Sequence, residues 1–578
     1  MPRRRAHPRR PLVSWPLYRL LAILAIVPLL VAALAVREPA LPPPPAQPLA
    51  VFDGSAAATT AASMNSLPGH RQPGGSGDLA AATWVQGELT KARYRVVVEN
   101  FAADLPGQPN VPLRNVVAYL PGRRKQFVAV FAHHDAVGNG VDDNASSVGV
   151  MLELARELQP LTRDRGIVFV STDGGTSGGQ GAAYFASHSP LAPRIEAAVV
   201  LDSVAAARGS QIRIVDRPDT VRGTSPTLFR AARSVITRIT GRAPIVPGLL
   251  DQLSGLAIPY SLSEQGPLLA RGVPAITLTA GPPPDPGANV TSLDATQLAQ
   301  VGTATANLVV ELDGAASIEP VGRPAIFVGS RTVRGWLAEV ALVALLGPAV
   351  ACVLDMAARC RRRQIALAPA VTALGWRCLA WAAGLIALWL LPVLPGDLAS
   401  GLPVAPQGHQ IGLSWTGILL ALLAGVAVWR FAGRPRISPG PPGAVSGADR
   451  TAGLAAGMLG LAFASTLLAA TNPFALVLVL PAVHLWLLLP GAARLGRRFM
   501  VALFVLGLIG PALLTFEYAT RFHLGLTAPR AILAMVSSGY LSPVIAACLA
   551  LAAASAAQLA ALIAGRYAPA HPPKQRYN

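Results

Sequence analysis

Between residues 335 and 565 the chain reads as seven apolar runs, near 335–356, 378–395, 411–429, 452–470, 473–490, 499–516 and 541–565. Runs of about 18 residues with almost no charge fit the hydrocarbon core of a bilayer as helices, because a helix satisfies its own backbone donors and acceptors. An eighth run, 20–36, follows an arginine-rich head of Arg3, Arg4, Arg5, Arg9 and Arg10. Its 17 residues exceed the usual signal-peptide core of about 7–15 and just suffice to cross. Ala33-Leu-Ala35 resembles a cleavage site, but an uncleaved anchor is the preferred reading, and either reading carries the next segment across the membrane. Only 13% of residues are charged, against about 25% in ordinary soluble domains, so the deficit belongs to the bilayer.

The net charge of +19 is distributed like a membrane protein's. Arginines concentrate in the N-terminal head and in the gaps Cys360-Arg-Arg-Arg363, 430–436 and 494–498, alternating with uncharged or mixed gaps at 396–410, 471–472 and 517–530. Placing both termini in the cytoplasm and residues 82–315 outside puts every strongly basic gap inside, with Arg331 and Arg334 a mild dissent. An integral cell-membrane protein is expected, and a nucleic-acid partner is not. Cys352, Cys360, Cys378 and Cys548 all fall in or beside apolar runs, so the polar half has neither a disulfide framework nor a CxxC pair. Charges inside the runs are sparse. His484 near mid-span reads as a helix-to-helix hydrogen bond, and transport has little support.

The expected order is a basic tail (1–19), an anchor (20–36), a Pro/Ala/Gly-rich linker (37–81), an α/β ectodomain (82–315), a membrane domain of about seven helices (335–565) and a cytoplasmic tail (566–578). In the ectodomain, strand-like runs at 94–98, 115–119, 127–132, 167–171, 197–201 and 275–279 alternate with helical patterns at 146–158, 178–187, 226–240 and 294–312. That alternation predicts a mostly parallel sheet sandwiched by helices.

Chemistry concentrates in Phe131-Ala-His-His-Asp-Ala-Val-Gly-Asn-Gly-Val-Asp-Asp-Asn-Ala-Ser-Ser-Val-Gly-Val150. His133 and Asp135 emerge from the C-terminal end of a buried strand, where α/β sheets bind ligands, and strand alternation sends His134 to the other face. Asp143-Asn144 stands at a helix start, so capping is the bland alternative to metal binding.

His133-x-Asp135, the Gly-rich gap, Asp143-Asn144-Ala-Ser and the helix carrying Leu152-Glu-Leu-Ala-Arg156 together resemble the co-catalytic zinc aminopeptidases of metallopeptidase clan MH, family twenty-eight. Asn115-Val-Val-Ala-Tyr-Leu-Pro-Gly122, Val200-Leu-Asp202 and Gly272-Val-Pro-Ala-Ile276 extend the resemblance over about residues 82–313. It implies a zinc aminopeptidase-like fold with His133, Asp143 and Asp202 as ligands of one zinc and Asp135 orienting His133. One imidazole and two carboxylates with an open position suit a single catalytic-type zinc.

The rest of the family's site departs from the pattern. Its Glu-Glu pair, counted back from Tyr184, falls on Gly174-Gly175, and no histidine occurs between His188 and His409 to serve as the last ligand. The usual Ser-Asp-His reads Ser263-Glu264-Gln265. Asp173 and Glu264 remain as candidate catalytic bases. Two readings stay open: a zinc hydrolase of extracytoplasmic peptides or amides, impaired or with a rewired base, and a non-catalytic binding or assembly module. The layout resembles the peptidase-like subunit of the eukaryotic GPI transamidase, which keeps membrane-protein partners in view for the second.

Overall fold

The computed structural model describes residues 12–39, 41–43, 51–105, 108–136, 138, 140–205, 210–261, 263–280, 293–329, 331–400, 411–437 and 445–570. The arginines of the head, residues 44–50 of the Pro-rich stretch and the tail from 571 lie outside them.

Strands β3 (Phe127–His133) and β4 (Gly166–Thr172) are buried at every position, as their unbroken apolar sequence requires of strands covered on both faces. They lie within a seven-stranded sheet with β1 (Arg95–Leu105), β2 (Gln108–Leu120), β5 (Ile195–Leu201), β6 (Ile212–Val215) and β7 (Ala275–Ala280). The order is β1-β2-β4-β3-β5-β7-β6. The central strands β4, β3, β5 and β7 are parallel, while β1, β2 and β6 add antiparallel edges.

Alternate residues of β3 feed two cores. Val128, Val130 and Ala132 meet the helices α2 (Gly54–Asn65), α3 (Ser76–Lys91), α4 (Ser147–Leu158), α6 (Pro226–Thr240) and α9 (Ala295–Gly314). Phe127, Ala129 and Phe131 meet Phe185 of α5 (Gln180–His188) and Leu268 and Leu269 of α8 (Gln265–Ala270).

The expectation of a linker through residue 81 is corrected. From Phe52 onward this segment packs into the α/β domain. Asp53 caps α2 by accepting from the Ser55 and Ala56 amides, and Ala57, Ala61 and Met64 are buried. The helix escapes a reading by hydrophobic period because its contacts use small residues. A Cβ on Gly149 of α4 would collide with the Ala57 carbonyl, and one on Gly302 of α9 with the Phe52 ring. Close backbone approach here replaces bulky side chains.

Among the described residues, seven helices are long and apolar enough to cross a membrane: α1 (Trp15–Leu34), Gly335–Arg362, Ala368–Val393, Trp415–Arg436, Gly447–Thr471, Pro473–Ala492 and Pro543–Ile563. Arg497–Gly507 and Ile509–Arg521, bent by 48°, make an eighth if counted as one span. α1 packs on Gly335–Arg362. His484 joins both, its Nδ1 lying 2.9 Å from the Tyr18 hydroxyl and its Nε2 3.1 Å from the Leu345 carbonyl.

Candidate metal site

After β3 the chain crosses to β4 on one side, then returns to β5 on the other, so the strand order reverses at β3. Such reversals open a crevice at the C-terminal strand ends. β3 delivers His133 there, and Asp202 directly follows β5.

Asp143 arrives on the Val141–Ser146 segment that leads into α4, where the Asp143–Asn144 peptide is cis. The capping alternative is not what this segment does: α4 begins without a side-chain cap. Asn144 instead turns to β5, donating to the Leu201 carbonyl at 3.3 Å and accepting from the Ser203 amide at 3.1 Å. That clasp brings Asp143 to Asp202. One potential ligand atom from each of His133, Asp143 and Asp202 lies within 4.8 Å of the others.

Asp135 is fully buried, and its carboxylate accepts from the Gly175 amide (2.8 Å), the Thr176 amide (3.0 Å) and the Thr176 hydroxyl (2.5 Å). Its Oδ1 lies 3.3 Å from His133 Nδ1, and its own carbonyl is closer at 2.9 Å. Two acceptors facing Nδ1 assign the ring proton to that nitrogen in the neutral imidazole. Nε2, 3.3 Å from Asp143 Oδ1, then turns its lone pair toward the carboxylates.

Burial works against a charged His133, but Asp135 and Asp143 outweigh it and hold its pKa well above the ordinary value. Burial and the Asp143 charge push Asp202 up. Burial also lifts the neighbouring Asp142 to about 6. Two converging carboxylates opposite an imidazole nitrogen form a donor set that suits a cation.

Asp202 is held in turn. Its oxygens accept from Ser203 Oγ (3.1 Å) and Ser263 Oγ (3.0 Å). Ser263 Oγ lies 3.0 Å from Thr277 Oγ1, which donates to Gln265 Oε1 at 2.5 Å. The roles of Ser263, Thr277 and Thr176 are not legible in the sequence, because hydroxyls on buried strands and loops carry no spacing pattern.

The two candidate bases separate. Glu264 is brought to the site: it is 1% exposed, its Oε1 accepts from Thr172 Oγ1 at 2.5 Å, and its Oε2 has no partner. Burial pushes its pKa to about 7 against the lowering effect of His133, with Asp135 and Asp202 adding to the rise. Asp173 is not brought there. It groups with Asp78 and His134, and its Oδ2 accepts from the Arg114 amide at 2.9 Å.

The two glycines also differ. A Cβ on Gly174 would face Gln180 and Leu113, away from the metal-ligand cluster, whereas one on Gly175 would overlap His133 Cβ and Cγ. The loop backbone therefore lies against the imidazole, and the next side chain, Thr176, is spent on Asp135.

A parallel-centred α/β sheet thus carries a His/Asp/Asp cluster at its point of chain reversal. Residues 115–309 match the model of Peptidase family M28. Alkaline phosphatase isozyme conversion protein of Escherichia coli (strain K12) is 28% identical over 140 residues, 20% of this chain and 40% of that protein. The match thus spans about two fifths of that relative's length.

Among solved structures, BSAP, a zinc aminopeptidase from Bacillus subtilis, aligns with a TM-score of 0.38 at 14% identity, covering 45% of this chain and 95% of its own. Glutaminyl cyclase from Bacteroides thetaiotaomicron gives 0.39 at 17%, covering 45% and 99%. The aminopeptidase from Aneurinibacillus sp. strain AM-1 gives 0.39 at 14%, covering 47% and 98%.

Proposed function

We propose that the protein is a membrane-anchored metallopeptidase-like protein whose M28 domain faces outward, holds one zinc on His133, Asp143 and Asp202, and acts weakly on peptides or amides. The outward placement rests on the basic gaps between apolar runs. A zinc ion on these residues would supply Lewis-acid polarisation of a carbonyl oxygen.

The observation that carries the reading is Glu264: a buried carboxyl with a free oxygen and a pKa near 7, beside the ligand cluster. Ionised, Glu264 accepts a proton from the water that attacks the amide carbonyl. Protonated, it returns that proton to the departing amine. Asp135 keeps His133 in one tautomer, and Asn144 and Ser263 hold the two aspartates. Activity is impaired because the Glu-Glu pair and the last histidine of the family's site are absent from the sequence.

A second reading, a non-catalytic binding or assembly module, is favoured by the enclosure of Glu264 and by the packing of Gly175 on His133. The test is zinc content and aminoacyl-arylamide hydrolysis of the full-length protein, wild type against Asp202→Ala. Loss of one zinc per chain together with turnover is the expected outcome. Loss of zinc from a protein that never turned over establishes the binding module. Zinc content that does not depend on Asp202 overturns both.

A further inference from the structure

On the opposite face of the same strand end lies a second cluster of ligand-type atoms, formed by Asp78 in the first turn of α3, His134 just beyond β3 and Asp173 just beyond β4. One potential ligand atom from each lies within 4.8 Å of the others. All three side chains are sealed from solvent, at 2%, 0% and 1% exposure.

The partners these atoms lack are informative. His134 Nε2, Asp78 Oδ1 and Asp173 Oδ1 are buried with no other group donating to or accepting from them, and the Asp78 and Asp173 carboxyls lie within hydrogen-bond reach of each other. His134 Nδ1 is 2.9 Å from Ser171 Oγ, so the far nitrogen points at the carboxylates. It stops 3.4 Å from Asp78 Oδ1 without forming a hydrogen bond.

Arg71 acts on Asp78 electrostatically, but its guanidinium donates to the His134 carbonyl, Asn65 Oδ1 and the Gly140 carbonyl. Arg114 reaches Asp173 only through its backbone amide, and among the described residues no Lys or Arg pairs with either carboxylate. Two buried carboxylates facing each other repel unless a proton or a cation lies between them.

We propose that Asp78, His134 and Asp173 form a second, enclosed divalent-cation site, distinct from the His133, Asp143 and Asp202 cluster. One imidazole and two carboxylates suit zinc or a similar borderline cation. Full enclosure makes the site structural. It would pin the first turn of α3 to the ends of β3 and β4, and Ser171 would orient His134 as an outer partner does. The competing arrangement is a carboxylate pair sharing one proton, with no metal.

The test uses full-length protein in detergent, dialysed against zinc-free buffer, with bound zinc counted by mass spectrometry in wild type, Asp202→Asn, Asp78→Asn and the double variant. The expected result is that each single substitution removes one equivalent and the double variant retains none. Asp202→Asn protein without zinc, or Asp78→Asn with wild-type content, overturns the proposal in favour of the shared proton. Should wild type hold one zinc that Asp78→Asn loses and Asp202→Asn keeps, this site stands and the proposed hydrolytic site falls. If Asp78→Asn fails to fold, cobalt(II) loaded into Asp202→Asn decides. Visible ligand-field absorption supports the site, and a featureless spectrum overturns it.

Discussion

A carboxyl group at 1% exposure with one oxygen unpartnered, as Glu264 is, persists at a cost that an inert residue would not need to carry. Glu264→Gln keeps the shape and the Thr172 contact but cannot take a proton. Amide turnover is expected to fall by about 10²–10⁴-fold with zinc content unchanged. The sign of the pH dependence follows from the ionised form being the base. The rate rises as Glu264 deprotonates, with the limb near or below 7 because an adjacent cation favours the carboxylate, and the limb is missing in Glu264→Gln. Gly175 tests the opposite property, a side chain that must be absent. Gly175→Ala drives a Cβ into the His133 ring, which has no room to shift while its Nδ1 side is held. Denaturation should show a loss of about 1–3 kcal/mol, and zinc affinity should weaken with it. Gly175→Glu therefore does not rebuild the family's glutamate pair.

At the scale of elements, the parallel strands and α4, α6 and α9 could be read from sequence because they are made of Val, Ile, Leu and Phe with clear periods. α2 could not. Its sequence, Gly-Ser-Ala-Ala-Ala-Thr-Thr-Ala-Ala-Ser-Met-Asn, has the composition of a flexible linker, yet Ala57, Ala61 and Met64 are at most 1% exposed in the core shared with α4 and α9. The same gap explains why Asp78 carries no signal in the sequence: it stands on α3, in a stretch of linker-like composition, and only the fold brings it to His134. Conversely His133, Asp143 and Asp202 were visible as motif residues, while Asp173 and Glu264 differ only in which way a loop turns them, which spacing does not encode. If α2 is a true core element, truncating its buried methionine must be felt by the whole domain. Met64→Ala is expected to cost about 2–5 kcal/mol, read as a lowered melting temperature of the full-length protein. A change within error would return this helix to the linker.

Across the whole molecule, the α/β domain and the long apolar helices are joined by buried charge. Arg217, after β6, pairs with Asp251 of α7 (Leu249–Ala257) and with Glu517 of the bent span at 2.8 Å, and Arg521 pairs with Asp251. Asn472 adds hydrogen bonds to the Leu256 and Ala257 carbonyls at 2.8 and 3.1 Å. The junction leads to the His133, Asp143 and Asp202 cluster. The Arg217 carbonyl accepts from Gln265 Nε2 at 3.1 Å, and the same Gln265 begins the series through Thr277 and Ser263 to Asp202. Removing one member of such a network strands the others. Arg217→Met leaves Glu517, among the described residues, with Arg521 as its one cationic partner, 3.8 Å away, and is expected to cost about 3–5 kcal/mol. Glu517→Gln in the same chain should recover part of that loss, because the stranded charge goes with it. A double-mutant cycle on melting of the full-length protein therefore yields a coupling of about 0.5–3 kcal/mol, whereas additive effects would show that the two domains merely touch. Zinc affinity measured across the cycle reads the longer path: if the junction sets Asp202, Arg217→Met weakens the metal, and the double variant recovers less affinity than stability, since the Gln265 contact depends on where the Arg217 backbone sits.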